Sequence, residues 1–220
     1  MVIILVRKLI FTNGECYHIY NRGVDGRDIT LDPRDSDRFL QCMEAFNTVE
    51  PVGSLYLLSF EDMRVKKSRK LVDVLAYCLN PNHFHIILKQ RVKNGISMFI
   101  KRLAGGHAYY FNVKHKRIGT LFQGPFKAKH VPDNDYLLHL SAYVNLNNRV
   151  HQLRDQVSQL VRSSWKQYSE GAQGLCTPGT ILKQFKSVQD YRKFALSTLP
   201  GMVGKREDYR ELKSLLLENR

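Results

Sequence analysis

The sequence predicts an α+β domain, an antiparallel sheet covered on one face by helices. Three observations carry that prediction: segments of period-two alternation recur through residues 1–150, segments of helical spacing separate them, and turn residues stand at the joints. The first strand is ECYHIYNRG (15–23), which alternates and stops at Asn-Arg-Gly. DPRDSDRFLQCMEAF (32–46) opens on Asp and Pro and places Phe39, Leu40, Met43 and Phe46 at helical spacing. SLYLLSFEDM (54–63) and LVDVLAYCL (71–79) read as strands on either side of the basic VKKSRK. NHFHIILKQ (82–90) is the next strand, and 94–117 is a long basic helix that Gly105-Gly106 is expected to bend. TLFQGPFKAKHV (120–131) is a strand broken at Gly124-Pro125, and 132–150 is a helix capped by Asp133 or Asn134.

This order suits a split βαβ sandwich of the ferredoxin-like kind. Beyond residue 150 the composition turns polar and helical, with a Gly-rich joint at 170–179. Residues 1–150 are therefore expected to form one domain, and 151–220 a small C-terminal helical extension.

The hydrophobic fraction of 43% excludes a disordered tail, and 34 Lys plus Arg against 20 Asp plus Glu leave a net charge of +14. Such a surplus attracts polyanions, so nucleic acid is the first partner to consider and a membrane surface the second. No stretch reaches the roughly 18–20 apolar residues of a membrane span. The opening MVIILVRKLI has its basic residues after the apolar run, unlike a signal peptide. Cys16, Cys42, Cys78 and Cys176 have neither zinc-cage nor disulfide-framework spacing, and an intracellular compartment is expected.

On the strand at 82–90, alternation sends His83, His85, Ile87 and Lys89 to one face and Phe84, Ile86 and Leu88 to the other, which is the core face. Two imidazoles side by side can lean onto one metal ion, although hydrogen bonding on a half-exposed face explains them equally. A third ligand has to come from elsewhere. The helix at 132–150 offers Tyr143 and Asn147, four residues apart on one helical face. Packing for the tyrosine and capping for the asparagine are the competing roles.

NPNHFHIIL, GTLFQGPFKAKHV, YVNLNNRV and the early CYHIYNRGVDGRDI, in this order, resemble the REP-associated tyrosine transposases and the related single-tyrosine HUH transposases of small insertion sequences. The likeness runs from about residue 12 to residue 200 and includes SSWKQY. It implies an enzyme that nicks and rejoins single-stranded DNA through a 5′-phosphotyrosine. His83 and His85 match the metal-binding pair, Tyr143 the nucleophile and Asn147 the polar ligand. The family's YIHLNPVRA has a proline where this chain has Asn148, which bears on how the helix ends. Mg²⁺ or Mn²⁺ is the implied cofactor, and single-stranded DNA with hairpins the implied partner of a monomer or homodimer. A binding module without activity and a nuclease in which water attacks are the alternatives.

An unperturbed phenol has a pKa near 10, so Tyr143 needs help, and Lys89 and His139 are the candidates. The basic residues Lys89, Arg91, Lys93, Lys101, Arg102, Lys114, Lys116, Arg117, Lys127 and Lys129 lie between the histidine strand and the tyrosine helix and are the candidate DNA contacts. Tyr17, Tyr20, Tyr109 and Tyr110 are candidates for stacking on unpaired bases, with core packing as the alternative.

Overall fold

A computed structural model describes residues 9–52, 69–153 and 155–218, with side chains from 208 onward left aside. The strand expected at 54–63 lies outside the described residues. The elements run β1 (Cys16–Arg22), α1 (Pro33–Ala45), β2 (Val72–Asn80), β3 (His83–Gln90), α2 (Gly95–Lys114), β4 (Lys127–His130) and α3 (Asn134–Asn145). After these come α4 (Asn147–Val150), α5 (Asp155–Ser158), β5 (Arg162–Ser163), α6 (Trp165–Ser169), α7 (Gly179–Leu182) and α8 (Val188–Glu218). The sheet has the order β4-β1-β3-β2-β5, all pairs antiparallel, and the first four strands follow the ferredoxin-like arrangement.

Local chemistry explains the helix ends. The Asp32 carboxylate accepts from the Asp35 amide with Pro33 in the first turn of α1, and Asp133 accepts from the Tyr136 amide at the start of α3. Among the two caps considered for the last helix, Asp133 is therefore the one used. Helix α2 runs through Gly105-Gly106 without interruption. At Gly106 a β-carbon would come within 2.4 Å of the Phe46 ring, so the glycine lets α2 approach the end of α1.

Helices cover both faces of the sheet, where the sequence predicted one. Ile19, Phe84, Ile86 and Leu88 meet Phe39 and Met43 of α1 and Phe99, Ile100 and Leu103 of α2 in the first core. On the opposite face Leu75, Ala76, Cys78 and Ile87 meet Leu140 and Val144 of α3, Tyr168 of α6, Ile181 of α7 and Tyr191 and Ala195 of α8. Residues after 150 thus supply both a strand and much of the second core. The Tyr168 hydroxyl donates to the Leu75 carbonyl at 2.6 Å, and the Ser164 hydroxyl and amide both bond the β2 backbone at Tyr77.

His107 of α2 is fully buried and donates Nε2–H to the Ile29 carbonyl at 2.8 Å. Burial pushes its pKa down to about 4. In the unfolded chain the ring titrates near 6.5, so below that pH the unfolded state binds the extra proton and stability falls as the solution is acidified. Between pH 7 and pH 5 this one group is expected to remove roughly 2 kcal/mol. Urea unfolding of the wild type and of His107→Gln, which keeps an amide donor for Ile29, will show a shallower acid slope in the variant. Parallel slopes would remove His107 from the acid response.

Candidate active site

Strand register assembles one polar face. In β1 His18, Tyr20 and Arg22 stand opposite Ile87, His85 and His83, and in β2 Cys78 and Asn80 stand opposite His85 and His83. Directly opposed residues of antiparallel strands project to the same side. His83 and His85 therefore share a face with His18, Tyr20, Arg22 and Asn80, while Phe84, Ile86 and Leu88 fill the first core. Lys127 and Lys129 of β4, opposite Tyr20 and His18, join the same face and are exposed.

The His83 and His85 rings lie 5.3 Å apart at 87°. His83 Nδ1 is 2.6 Å from the Asn82 carboxamide oxygen, and its Nε2 is 3.1 Å from Asn147 Oδ1. His85 directs Nδ1 at Nε2 of His18, 2.8 Å away. All three imidazoles are held towards the neutral form: burial lowers the pKa of His18 to about 4, depresses His83 and drives His85 well down. A neutral imidazole carries one proton, so a ring that donates from Nδ1 presents a lone pair at Nε2.

Asn147 is fully buried. Helix α3 stops at Asn145 and α4 restarts at Asn147, so Tyr143 and Asn147 do not share one continuous helix; Leu146 between them leaves helical geometry at φ −104°, ψ 13°. Both side chains nevertheless reach the histidine face. Asn147 Oδ1 accepts from Asn80 Nδ2 at 2.7 Å, and the same Asn80 nitrogen lies 2.9 Å from His83 Nε2. Two lone pairs, one from imidazole and one from a carboxamide, thus converge on a point that demands a positive centre, presently served by the Asn80 amide. Asn147 Nδ2 is buried without a hydrogen-bond partner among the described residues.

That donor set fits a divalent cation that accepts nitrogen and oxygen together. Imidazole suits Mn²⁺ and the carboxamide oxygen suits both Mn²⁺ and Mg²⁺. A second convergence of ligand atoms, Asp32, Asp35 and His115, is of another kind. There the Lys114 ammonium stands 2.6–2.7 Å from the carboxylate oxygens and already occupies the cation's place.

Tyr143 sets the edge of its ring against His85, centroids 5.5 Å apart at 80°, and lies 6.4 Å from the His18 ring. It is half-buried and opens into a cleft of about 790 Å³ shared with His83, His85, Tyr20, His151, Lys127 and Arg206. Burial raises its phenol pKa, and Asn147 and the Arg206 guanidinium act in the opposite direction.

Neither side chain expected to assist this phenol lines its cleft with the histidine pair, although His139 shares a neighbouring groove with Tyr143. Lys89 is four residues along β3 from His85, roughly 13 Å away, opposite Cys16 and Asp73. His139 packs on Phe194 and faces Asp135 at 3.9 Å. Arg206 of α8 lines the same cleft as Tyr143 and acts on its phenol electrostatically. Of the other basic candidates, Arg91 is paired with Asp73, Arg102 donates to the Thr48 and Glu50 carbonyls, and Lys114 is held by Asp32 and Asp35. Lys101, Arg102 and Lys114 belong to α2, and Lys116 and Arg117 follow its end; that helix packs on the face of the sheet opposite the histidines. Arg91 and Lys93 border a separate recess beside Asn13 and Arg69. Among the aromatic candidates, Tyr17 is a core residue, Tyr109 is exposed, Tyr110 lies beneath Arg38 and Lys114, and Tyr20 lines the cleft.

Four participants were not anticipated from the sequence. His18 was legible in principle, since CYHIY alternates it with Tyr20, and His151 follows Asn147 by one helical turn. Asn80 precedes the turn into β3. Arg206 has no local signal.

Residues 60–147 match the family described as Transposase IS200 like, a segment that contains His83, His85, Tyr143 and Asn147. No curated protein matches the chain. Among solved structures, a REP-associated tyrosine transposase bound to a REP hairpin shares the fold at a TM-score of 0.51 and 12% identity. The match covers 78% of this chain and 90% of that one. This chain is thus similar to IS200-like transposases in sequence and to a REP-associated tyrosine transposase in fold.

Proposed function

We propose that this chain, with its likeness to IS200-like transposases as premise, is a metal-dependent enzyme that cuts and rejoins single-stranded DNA beside a hairpin, with Tyr143 as nucleophile. One observation carries the reading: a half-buried phenol stands against His85 in the cleft where His83 Nε2 and Asn147 Oδ1 converge. In this reading residues 1–150 carry the nucleophile and the metal ligands, and the helical extension 151–220 brings Arg206 and His151 into the same cleft.

The reaction follows from the parts. Tyr143 loses its phenolic proton to solvent and its oxygen attacks a backbone phosphorus. The bond from phosphorus to the 3′-oxygen breaks, and that oxygen leaves as a hydroxyl after taking up a proton. The 5′-phosphate stays on Tyr143, so the bond's reactivity is conserved for a second 3′-hydroxyl to reverse the step without nucleotide hydrolysis. A divalent ion held by His83, His85 and Asn147 would supply charge for the non-bridging oxygens. Arg206 lines the same cleft and its charge favours the phenolate. His18 holds His85 through Nδ1, leaving its Nε2 available as a ligand. The hairpin preference is carried over from the fold relative, which was solved with a REP hairpin.

The test is to incubate hairpin-bearing single-stranded DNA with the protein and Mn²⁺, then look for a protein–DNA adduct that survives denaturation. The adduct is the expected result. Cleavage without an adduct would point to attack by water, and binding without cleavage to an inactive hairpin-binding module. Lys127 and Lys129 are the basic candidates exposed on the cleft face, so they are expected to contact phosphate. Replacing either with alanine should weaken DNA binding alike for different sequences and reduce the salt slope of log K by about one. An unchanged slope in both variants would place the DNA elsewhere.

A further inference from the structure

A second cavity of about 560 Å³ opens on the other side of Tyr143, between α3 and α8. Its α3 wall is Tyr136, His139, Leu140 and Tyr143, at the i, i+3, i+4, i+7 spacing of one helical face. Its α8 wall is Ser197, Thr198, Gly201, Met202 and Lys205, and His18 also lines it. At Gly201 an added β-carbon would meet nothing within 4 Å, so that wall is open. The first cleft is lined mostly by imidazoles, amides and cations, whereas this groove has tyrosines, a leucine and a thioether beside two imidazoles and the Ser197 and Thr198 hydroxyls. Cations stand at its margin: Lys205 lines it, and the Lys129 ammonium sits 5.2 Å from the centre of the Tyr136 ring.

We propose that this groove seats one unpaired nucleobase of the strand whose phosphate lies against Tyr143. The inference rests on the catalytic reading above for the identity of the strand, and on three features of the groove for its occupant. Tyr143 is a wall of both cavities, so a phosphate at its hydroxyl places a neighbouring base at the mouth of the groove. A flat heterocycle finds the Tyr136 ring to stack on and a polarisable contact from Met202, with the edge of Tyr143 beside them. The flanking lysines match the charge of the phosphate that the base carries with it. Stacking of this kind tolerates different bases, so the groove would fix the position of the cut strand more than its sequence.

The experiment is a binding cycle that does not depend on cleavage. Hairpin DNA with a single-stranded flank is prepared with one abasic site moved through the flank, and its Kd is measured in EDTA for the wild type, Tyr136→Ala and Gly201→Phe. The first variant removes a stacking face; the second fills the groove and leaves Tyr136 in place. Circular dichroism confirms that each variant is folded. At one flank position, loss of the base should weaken wild-type binding about tenfold and have no further effect in either variant. Equal losses in all three proteins, or no position that affects the wild type, overturn the proposal. Failure to bind hairpin DNA at all would overturn it together with the catalytic reading. The adduct assay with Mn²⁺ on the same DNA separates the two otherwise: an adduct without the binding cycle removes only the groove, and the cycle without an adduct removes only the chemistry.

Discussion

Tyr143→Phe should abolish the denaturation-resistant DNA adduct, by at least about 10⁴-fold, the scale of losing a covalent nucleophile. Affinity for hairpin DNA should stay close to wild type. The replacement removes one oxygen from a half-buried ring and keeps the edge contacts with His85 and His18. The phenol's pKa is raised by burial, so no buried charge is lost and folding should be little affected. A gel after denaturation measures the adduct, and a binding isotherm in the same buffer measures the affinity. An adduct in the variant at the wild-type level would move the nucleophile to another residue. Loss of binding in parallel with the adduct would instead make the hydroxyl a DNA contact.

Lys114→Met should destabilise the fold by about 3 kcal/mol, the cost of breaking a buried pair. Asp35 has a fully buried side chain that receives the Lys114 ammonium at 2.7 Å, the Leu31 amide at 2.8 Å and His115 Nε2 at 2.9 Å. Burial alone would push its carboxyl up; the bonds from Lys114, Leu31 and His115 outweigh that and hold it below its usual value. A carboxylate with a depressed pKa contributes stability that is present above its unfolded pKa and lost as the pH falls through the folded one. Removing the ammonium therefore lowers the urea midpoint at neutral pH and reduces the acid dependence. Lys114→Met combined with Asp35→Asn should recover part of the loss, because the uncompensated charge is then gone. Equal stability of wild type and Lys114→Met would show that His115 and the Leu31 amide suffice. DNA affinity of the folded variant should be unchanged, since this ammonium is committed to Asp32 and Asp35. Lys114 was read from the sequence as a DNA contact because a basic residue beside a site looks the same whether its counterion is a phosphate or a carboxylate distant in the chain.

Alternation along residues 82–90 was enough to place His83 and His85 together and Phe84, Ile86 and Leu88 in the core, because strand geometry has a period of two and needs no tertiary information. Caps and helical spacing were likewise local, which is why α1 begins at its Asp32-Pro33 opening and α3 at one of the two caps the sequence offered, Asp133. Helix ends were less legible. The break at Leu146 is invisible in a sequence that continues with helix-compatible residues, and Gly105-Gly106 read as a bend although Gly106 serves the close approach of Phe46.

By itself the sequence determined the order of β1, α1, β2, β3, α2, β4 and α3, the shared face of the two histidines and the basic balance that points to nucleic acid, since each depends on periodicity or on a sum over residues. Only the tertiary structure decided which cations line the cleft with Tyr143, which lysines are spent on internal carboxylates and what covers the second face of the sheet. Those outcomes depend on segments far apart in the chain coming together, such as Arg206 and Tyr143 in one cleft and Lys114 with Asp35. Such contacts leave no periodic trace, because the pairing of remote side chains is set by how the packed elements bury their apolar faces.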